Sequence, residues 1–307
     1  MNVKELLNIR GIVTVLNTPF TADDRIDHES LRKNVRAAIH AGVAGFLVPA
    51  MAGEALKLSA DERSGIVRAV LDETRGRAPV IGGASAATPA ERIALAQTLI
   101  ELGCEGVLAS IPYEGAESYA RHVSDLAELK PGFLILQDWD FQGAGIPVPV
   151  IVDLFRDVEV FRGIKIEVAN AGAKYSEVLA ATGGKLHVSG GWAVNQLIEG
   201  LDRGVHAFMP TAMHPIYTRI YRLYVGGERE QAQQLFNRLL PVLAFSNQHL
   251  DYSIHFFKRL LFAQGLYATP NVREPILPFD EYHERRSREL IALVQTLAAE
   301  VGDTIGA

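Results

Sequence analysis

One short apolar segment of the 307-residue chain, Phe161–Glu167, carries a lysine and a glutamate two residues apart, Lys165 and Glu167. Successive side chains of a β-strand point to opposite faces, so these two would share one face and the aliphatic residues the other. Ionisable side chains on a buried face are costly unless they are paired or functional. One interpretation is a structural ion pair. The other is a Schiff-base site, because desolvation lowers the pKa of a lysine and a neutral amine can attack a ketone.

Residues that could bind a substrate follow several other predicted strands. They are Thr18 after the first strand, Tyr113 after the fourth, Gln137 at the end of the fifth, and Gly190 and Trp192 after the seventh. Thr18 and Gly190 would line a pocket, Gln137 would point inward, Tyr113 could donate a proton, and Trp192 could form a wall. Each has a structural alternative, such as a Thr-Pro turn, a tyrosine that caps the core or a tryptophan that only packs.

The turn after the second predicted strand, residues 49–54, contains small residues and Gly53. Such a turn between a strand and a helix can present backbone N–H groups to an anion, for example a carboxylate. A plain tight turn explains the same residues equally well.

These candidates must be positioned by the elements around them. Short apolar segments bounded by Gly or Pro are typical of strands buried on both faces, and eight occur: Gly11–Asn17, Ala44–Ala50, Pro79–Gly83, Gly106–Ile111, Gly132–Gln137, Phe161–Glu167, Leu186–Ser189 and Val205–Met209. Amphipathic helical patterns alternate with them, as in His28–Ala41, Ser59–Arg75 and Pro89–Leu102. Eight such units predict an α/β fold, a closed (β/α)8 TIM barrel with its chemistry at the C-terminal strand ends. A doubly wound open sheet is the alternative, but no G-x-G-x-x-G follows the first strand.

After the eighth strand the pattern becomes helical, with predicted helices over Glu228–Phe245, Tyr252–Gln264 and Asp280–Val301. We therefore expect a barrel over residues 1–225 and a C-terminal helical extension over residues 226–307. The extension should pack on the barrel, so that both form a single structural unit. No separate catalytic domain is predicted there.

Composition excludes several classes of protein. The chain has 36 acidic and 30 basic residues, a formal net charge of -6 and one cysteine. A mildly acidic chain argues against a nucleic-acid partner. No apolar run reaches the roughly 20 residues of a membrane span, and no signal peptide is visible. The nine histidines are scattered, so no metal site is predicted. These features predict a cytoplasmic protein that does not act on membranes.

Taken in order, these residues resemble the class I aldolase superfamily of dihydrodipicolinate synthase and N-acetylneuraminate lyase. The resemblance runs from Gly11 to about Leu277. It rests on Thr18-Pro19-Phe20, Asp27, Gly53-Glu54, Leu58, Glu62, Pro112-Tyr113, Gly163-Ile164-Lys165, Ser189-Gly190, Lys258, Gly265, Arg273, Pro275 and Leu277. It implies a (β/α)8 barrel, a homotetramer as the usual assembly, and Lys165 as the Schiff-base lysine with no separate cofactor. It also implies that the N–H groups of Met51 and Ala52 hold the carboxylate of a 2-keto acid.

The sequence departs from that family in three places. The loop Gly-Thr-Thr-Gly-Glu reads Ala50-Met51-Ala52-Gly53-Glu54 here, so both threonine hydroxyls are missing. The family's catalytic tyrosine on the fifth strand aligns with Gln137, and the arginine that binds a second carboxylate aligns with Gln142. Dihydrodipicolinate synthase activity is therefore not expected, although that name could be attached by similarity. Gln137-Asp138 and Lys165-Ile166-Glu167 are instead similar to 2-keto-3-deoxy-L-arabonate dehydratase and its relatives.

We accordingly predict a class I lyase that acts on a 2-keto acid, by dehydration of a 2-keto-3-deoxy sugar acid. Glu167 is the expected base or acid, with Tyr113 or a water as alternatives. Retro-aldol cleavage or aldol addition with pyruvate is the alternative reaction. A keto-acid-binding pseudoenzyme is the alternative without catalysis. The expected partners are the small-molecule substrate and further copies of the chain, in a tetramer or a dimer.

Overall fold

Eight parallel strands close into a barrel in the computed structural model of this chain, which describes residues 3–192 and 195–303. Each strand pairs with the next, and the eighth pairs with the first. The strands are β1 (Gly11–Val15), β2 (Gly45–Val48), β3 (Val80–Gly83), β4 (Gly106–Ser110), β5 (Leu134–Asp140), β6 (Phe161–Val168), β7 (His187–Gly190) and β8 (Ala207–Phe208). The predicted TIM barrel is confirmed, and the open sheet is excluded.

One helix follows each strand and covers the outside of the barrel. These helices are α1 (His28–Ala41), α2 (Ala60–Thr74), α3 (Pro89–Leu102), α4 (Ala116–Ala127), α5 (Val148–Asp157), α6 (Ala171–Ala181), α7 (Leu197–Asp202) and α8 (His214–Val225). Local sequence sets several of their ends. Ser59 and Thr88 form capping boxes with Glu62 and Glu91, which satisfy N–H groups that a helix start leaves free.

Strand β5 is longer than the sequence pattern predicts. It continues past Gln137 to Asp140 because it stays paired with β6, where Trp139 lies opposite Glu167. The extra residues carry an aromatic side chain to the C-terminal rim of the barrel. The sequence shows no alternation there that would have revealed this.

The core has two parts, as expected of strands that alternate between an inner and an outer face. Inside the barrel, apolar side chains such as Val13, Ile81 and Ile135 form one cluster. Leu6 joins this cluster from the short helix Val3–Asn8, which closes the N-terminal end of the barrel. Between strands and helices lies the larger cluster, which includes Ile164. Apolar side chains therefore fill the N-terminal end of the barrel, and the space for a ligand lies at its C-terminal end.

Three further helices follow the barrel: α9 (Arg229–Ser246), α10 (Leu250–Ala263) and α11 (Glu281–Asp303). Their buried side chains, among them Leu239, Leu260 and Val294, belong to the same apolar cluster as the outer barrel layer. The predicted division at residue 225 coincides with the end of α8 but remains a prediction. Residues 1–2, 193–194 and 304–307 of that division lie outside the described residues. Within the described part of the chain, no helix combines the length and apolar character that a membrane crossing requires.

Candidate active site

Lys165 and Glu167 lie side by side on the inner face of β6, in the wall of a cavity at the C-terminal end of the barrel. Lys165 Nζ is 3.0 Å from Glu167 Oε2, and the two side chains are 8% and 4% exposed. The neighbouring Ile164 and Ile166 point outward into the layer beneath the helices. The face that alternation predicts for the two ionisable residues is thus the face they occupy.

The Glu167 carboxylate is held by three donors. Oε2 accepts a hydrogen bond from Gln137 Nε2 at 2.5 Å as well as the contact from Lys165. Oε1 accepts the backbone N–H of Trp192 at 2.6 Å. Gln137 lines the cavity as expected, because it lies opposite Lys165 in the register of β5 and β6. Three strands or strand ends therefore fix one carboxylate beside one amine.

Gly191, which follows the predicted pocket residue Gly190, makes this arrangement possible. A Cβ at Gly191 would lie 2.1 Å from Glu167 Oε1 and 2.5 Å from Lys165 Cε, so any side chain there would displace the pair. The predicted pocket glycine, Gly190, faces the other way. Its Cβ would lie 2.7 Å from the Phe208 ring, in the outer layer. The placement of Gly190 in the pocket is therefore wrong, because this residue is in register with the outward-pointing Ile166.

Met51 and Ala52 line the same cavity in a single turn of 3-10 helix, Met51–Gly53, which directly follows β2. The first N–H groups of a helical turn have no acceptor within it. Here those groups belong to Met51 and Ala52, since the N–H of Gly53 already donates to Ala50. The turn therefore offers two adjacent N–H groups suited to an anion.

Thr18 supports this turn and does not line the cavity, contrary to expectation. Its hydroxyl is buried and donates to the Gly53 carbonyl at 2.6 Å. Asn17 Nδ2 donates to the Ala52 carbonyl at the same distance of 2.6 Å. Both contacts hold carbonyl oxygens on the side of the turn away from its free N–H groups. Thr18 is thus a positioning residue. Strand β1 ends at Val15, so the pleat of the strand does not direct Thr18, and its hydroxyl binds the turn.

Tyr113 also lies outside the cavity wall that the structure describes. Its side chain is 37% exposed, and its ring packs against Tyr119 of α4 at a centroid distance of 5.6 Å. Strand β4 ends at Ser110, so Tyr113 stands in the following loop and is not directed by the strand. The expectation that Tyr113 reaches the site is not met within this chain.

An aromatic group covers one side of the cavity. Trp139 and Trp192 both line it, and their ring centroids are 6.1 Å apart. Phe141 packs on Trp192 at 4.2 Å. Trp192 has a φ of 46°, a left-handed conformation that is rare for a bulky residue. The predicted wall and the alternative of simple packing are both present, since Trp192 packs on aromatic neighbours while it faces the cavity.

The C-terminal extension supplies a second wall, which the sequence pattern does not predict. Leu250, Ser253 and Phe257 of α10 line the cavity, together with Asn247 at the end of α9. The spacing of the three α10 residues places them on one face of the helix. Ser253 and Phe257 fall within the predicted helix Tyr252–Gln264, but Leu250 precedes it, and nothing in the sequence pattern indicates that this face covers a barrel. Ser85 and Thr211, after β3 and β8, are further lining residues that were not predicted.

A second buried ion pair anchors the extension to the turn after β2. Lys258 of α10 contacts Glu54 Oε1, while Glu54 Oε2 accepts Lys57 Nζ at 3.1 Å and the Arg273 N–H at 2.9 Å. Burial lowers the pKa of Lys258 to about 8. Both side chains of the pair are fully buried. These residues therefore tie the connector between α10 and α11 to the segment that carries Met51 and Ala52.

Asp138, which supports the subgroup resemblance together with Gln137, points away from the cavity. It contacts Lys174 at 2.5 Å and accepts the Ile146 N–H at 2.9 Å. Burial raises the pKa of Asp138 despite its lysine partner. Its place is the outer side of β5, where it holds the loop that leads to α5.

Comparison with known proteins agrees with this architecture. The sequence model of the "Dihydrodipicolinate synthetase family" matches residues 8–294. The chain is 28% identical over 290 residues to a 4-hydroxy-tetrahydrodipicolinate synthase of Salinibacter ruber, covering 92% of this chain and 94% of that protein. It is 27% identical over 302 residues to an L-2-keto-3-deoxyarabonate dehydratase of Azospirillum brasilense, covering 94% of both chains.

Among solved structures, the 4-hydroxy-tetrahydrodipicolinate synthase of Methylacidiphilum fumariolicum superposes with a TM-score of 0.84 at 23% identity. The match covers 96% of this chain and 98% of that one, and at this identity it shows the fold alone. The sequence match to the family extends over nearly all of the barrel and most of the extension. The chain therefore belongs to the dihydrodipicolinate synthetase family and is a carbon–oxygen or carbon–carbon lyase.

Proposed function

We propose that this lyase forms a Schiff base between Lys165 and a 2-keto acid and dehydrates a 2-keto-3-deoxy sugar acid. The observation that carries the proposal is the buried contact of 3.0 Å between Lys165 Nζ and Glu167 Oε2 in the cavity wall. An amine nucleophile with a proton acceptor in reach is the arrangement that this chemistry requires. The reaction needs no separate cofactor, because the lysine itself forms the covalent intermediate.

The barrel order supports a binding mode for the 2-keto acid. In a closed barrel of eight strands, β2 and β6 lie opposite each other. The substrate carboxylate would accept hydrogen bonds from the N–H groups of Met51 and Ala52 after β2. Its C2 carbonyl would then face Lys165 on β6. The substrate would thus span the barrel end between its two anchoring points.

During imine formation, Glu167 accepts a proton from Lys165 and later returns it, so the step needs no other acid or base. One ammonium proton of Lys165 moves to Glu167, and the free amine attacks C2. Glu167 returns that proton to the carbonyl oxygen, which takes a second proton from the nitrogen and leaves as water. The product is a protonated imine, which acidifies the hydrogens on C3.

Dehydration follows from the same two residues. Glu167 removes a proton from C3, so that an enamine forms. The enamine electrons form a double bond between C3 and C4 while the C4–O bond breaks, and Glu167 returns its proton to the departing hydroxyl. One water leaves, and a second water hydrolyses the imine to release the unsaturated 2-keto acid and Lys165. Gln137 has no titrating proton, so in this scheme it only holds Glu167.

The relative from Azospirillum brasilense, named L-2-keto-3-deoxyarabonate dehydratase, supports dehydration as the reaction. The relatives that are named synthases do not favour the synthase reaction for this chain, because Gln142 stands where the family resemblance implies an arginine. We also propose that the enzyme acts in the cytoplasm as a homo-oligomer, a tetramer or a dimer. The molar mass of the purified protein in solution tests the assembly.

Borohydride reduction tests the Schiff base. Incubation with pyruvate and borohydride should attach a reduced three-carbon fragment to Lys165, which peptide mass spectrometry will locate. Lys165→Ala should abolish the modification and turnover of 2-keto-3-deoxy acids. Unmodified Lys165 in the wild type, or a modification that persists in Lys165→Ala, would rule out the proposal.

A further inference from the structure

The cavity continues beyond Lys165 between two walls whose chemistry constrains the rest of the substrate. One is the aromatic wall, Trp139 and Trp192. The other is the extension wall, Asn247, Leu250, Ser253 and Phe257. Neither wall takes part in the proton transfers of the proposed reaction. Any role for these walls in binding rests on the proposed function, because it takes Lys165 as the point to which C2 is joined.

The direction of the substrate's tail, the atoms beyond C4, is set by the barrel. With the carboxylate at β2 and C2 at β6, the substrate crosses the barrel end. The space below is filled by apolar side chains of the strands, such as Leu47 and Leu108, and is closed by Leu6. The tail must therefore extend away from the barrel interior, between the aromatic wall and the extension wall.

The charged residues of the cavity indicate that the substrate's tail is neutral. Among the described residues that line it, Lys165 and Glu167 are the charged ones, and they are paired with each other. A phosphate or second carboxylate on the tail would be removed from water without a cation to receive it, which is strongly unfavourable. The two walls offer instead mostly apolar surface.

Two polar groups interrupt that apolar surface. The Ser253 hydroxyl makes no hydrogen bond to another described residue, and its side chain is half-buried in the cavity wall. Asn247 Nδ2 donates to Asn195 Oδ1 at 2.8 Å, and Asn247 Oδ1 accepts the Ser246 hydroxyl at 3.2 Å. A carboxamide has two donor hydrogens and two acceptor lone pairs, so Asn247 keeps one of each.

We infer that Ser253 and Asn247 determine specificity by binding a hydroxyl on a short, uncharged substrate tail, while the aromatic wall covers its carbon chain. The substrate class is thus a 2-keto-3-deoxy acid with a neutral, hydroxylated tail. A phosphorylated sugar acid or a dicarboxylate is excluded. Ser253 is the better probe of the two, because Asn247 also supports the neighbouring loop through Asn195.

The test compares two substrates that differ by one hydroxyl: 2-keto-3-deoxypentonate and its 5-deoxy analogue, 4-hydroxy-2-oxopentanoate. The wild type should prefer the hydroxylated compound by about tenfold in kcat/KM, since one hydrogen bond of about 1.4 kcal/mol corresponds to that factor. Ser253→Ala should lose this preference because its kcat/KM for the hydroxylated substrate falls. Its kcat/KM for the 5-deoxy analogue should stay unchanged. Ser253→Thr keeps a hydroxyl and should restore much of it.

Ser124→Ala removes an exposed hydroxyl on α4, outside the cavity, and should change neither value. Equal losses on both substrates in Ser253→Ala, or no preference in the wild type, would overturn the inference. So would comparable turnover of a 6-phosphorylated 2-keto-3-deoxy sugar acid. Borohydride trapping of pyruvate in each variant separates the two proposals. If the wild type is not trapped, the Schiff base is refuted. If trapping occurs but Ser253→Ala keeps the wild-type preference for the hydroxylated substrate, only the tail site is refuted.

Discussion

A single carboxylate, that of Glu167, receives the Trp192 N–H, Gln137 Nε2 and Lys165 Nζ within 3.0 Å. These contacts fix the orientation of its two oxygens. A base held in this way is preorganised, so that proton transfer needs little rearrangement. In the proposed reaction, Lys165 and Glu167 therefore carry out the chemistry. Gln137 and the Trp192 N–H hold Glu167 in place.

Glu167→Gln tests this division at the residue scale. The amide keeps the shape of the side chain but cannot exchange a proton, so kcat for dehydration should fall by about a hundredfold or more. The measurement is steady-state turnover of a 2-keto-3-deoxy acid. Lys165 should remain trappable by pyruvate and borohydride, which would show that the nucleophile is still accessible.

Glu199→Gln makes the same change on α7, where the carboxylate pairs with Arg203 at the surface. It should retain wild-type turnover. If Glu167→Gln were equally active, Glu167 would have no part in proton transfer, and an ordered water would become the candidate base.

At the scale of elements, the end of β1 shapes the turn after β2. Thr18 and Asn17 hold two successive carbonyls of that turn, which leaves the N–H groups of Met51 and Ala52 directed elsewhere. Residues 51 and 52 are Met and Ala, so they carry no side-chain hydroxyl that could add to the two N–H groups. In the proposed binding mode, recognition of the substrate carboxylate by Met51 and Ala52 then depends on backbone geometry alone.

Thr18→Val tests this dependence. The substitution removes the hydroxyl and leaves the Gly53 carbonyl without its donor, at a net loss of about 1 kcal/mol. We expect KM for the 2-keto acid to rise severalfold while kcat changes little, because the turn binds substrate but does not move protons. Thr18→Ser should restore KM. An unchanged KM in Thr18→Val would show that the hydroxyl does not position the turn.

At the scale of the whole molecule, the extension is part of the site and of the core. It supplies one cavity wall, and Lys258 joins it to Glu54 beside the turn that carries Met51 and Ala52. Removal of one partner from a buried ion pair leaves the other charge without compensation. The stability of the fold and the geometry of the site are therefore coupled through this pair.

Lys258→Met should lower the free energy of unfolding at pH 7 by about 3 kcal/mol, since Glu54 stays buried without its main cation. Denaturant unfolding at fixed protein concentration measures this. Adding Glu54→Gln should recover part of the loss, because the uncompensated charge disappears. A single variant as stable as the wild type would contradict the assigned role.

The pH dependence of unfolding gives a second readout of Lys258. Its pKa is about 8 in the folded protein, against an ordinary value of 10.5. Between these two values the unfolded chain binds more protons than the folded one, so this residue makes stability rise with pH. Lys258→Met should lack that contribution, and its stability should rise less steeply over this interval than that of the wild type.

Much of the molecule was predictable from local pattern. Eight apolar segments bounded by Gly or Pro predicted the closed barrel, and period-two alternation predicted that Lys165, Glu167 and Gln137 face inward. These predictions succeed because a strand's pleat directs each side chain without reference to distant residues. Inside a strand, the sequence alone is sufficient to assign a face.

Beyond the strand ends, that rule no longer applies. Thr18 and Tyr113 were expected at the site but lie elsewhere, because loop backbone directs them. Ser253 and Asn247 were not expected, yet they line the cavity. The amino-acid sequence by itself thus determined the barrel and its buried lysine–glutamate pair. Tertiary structure alone decided which loop supports the turn and which helix covers the barrel, because both depend on packing between segments far apart in the chain.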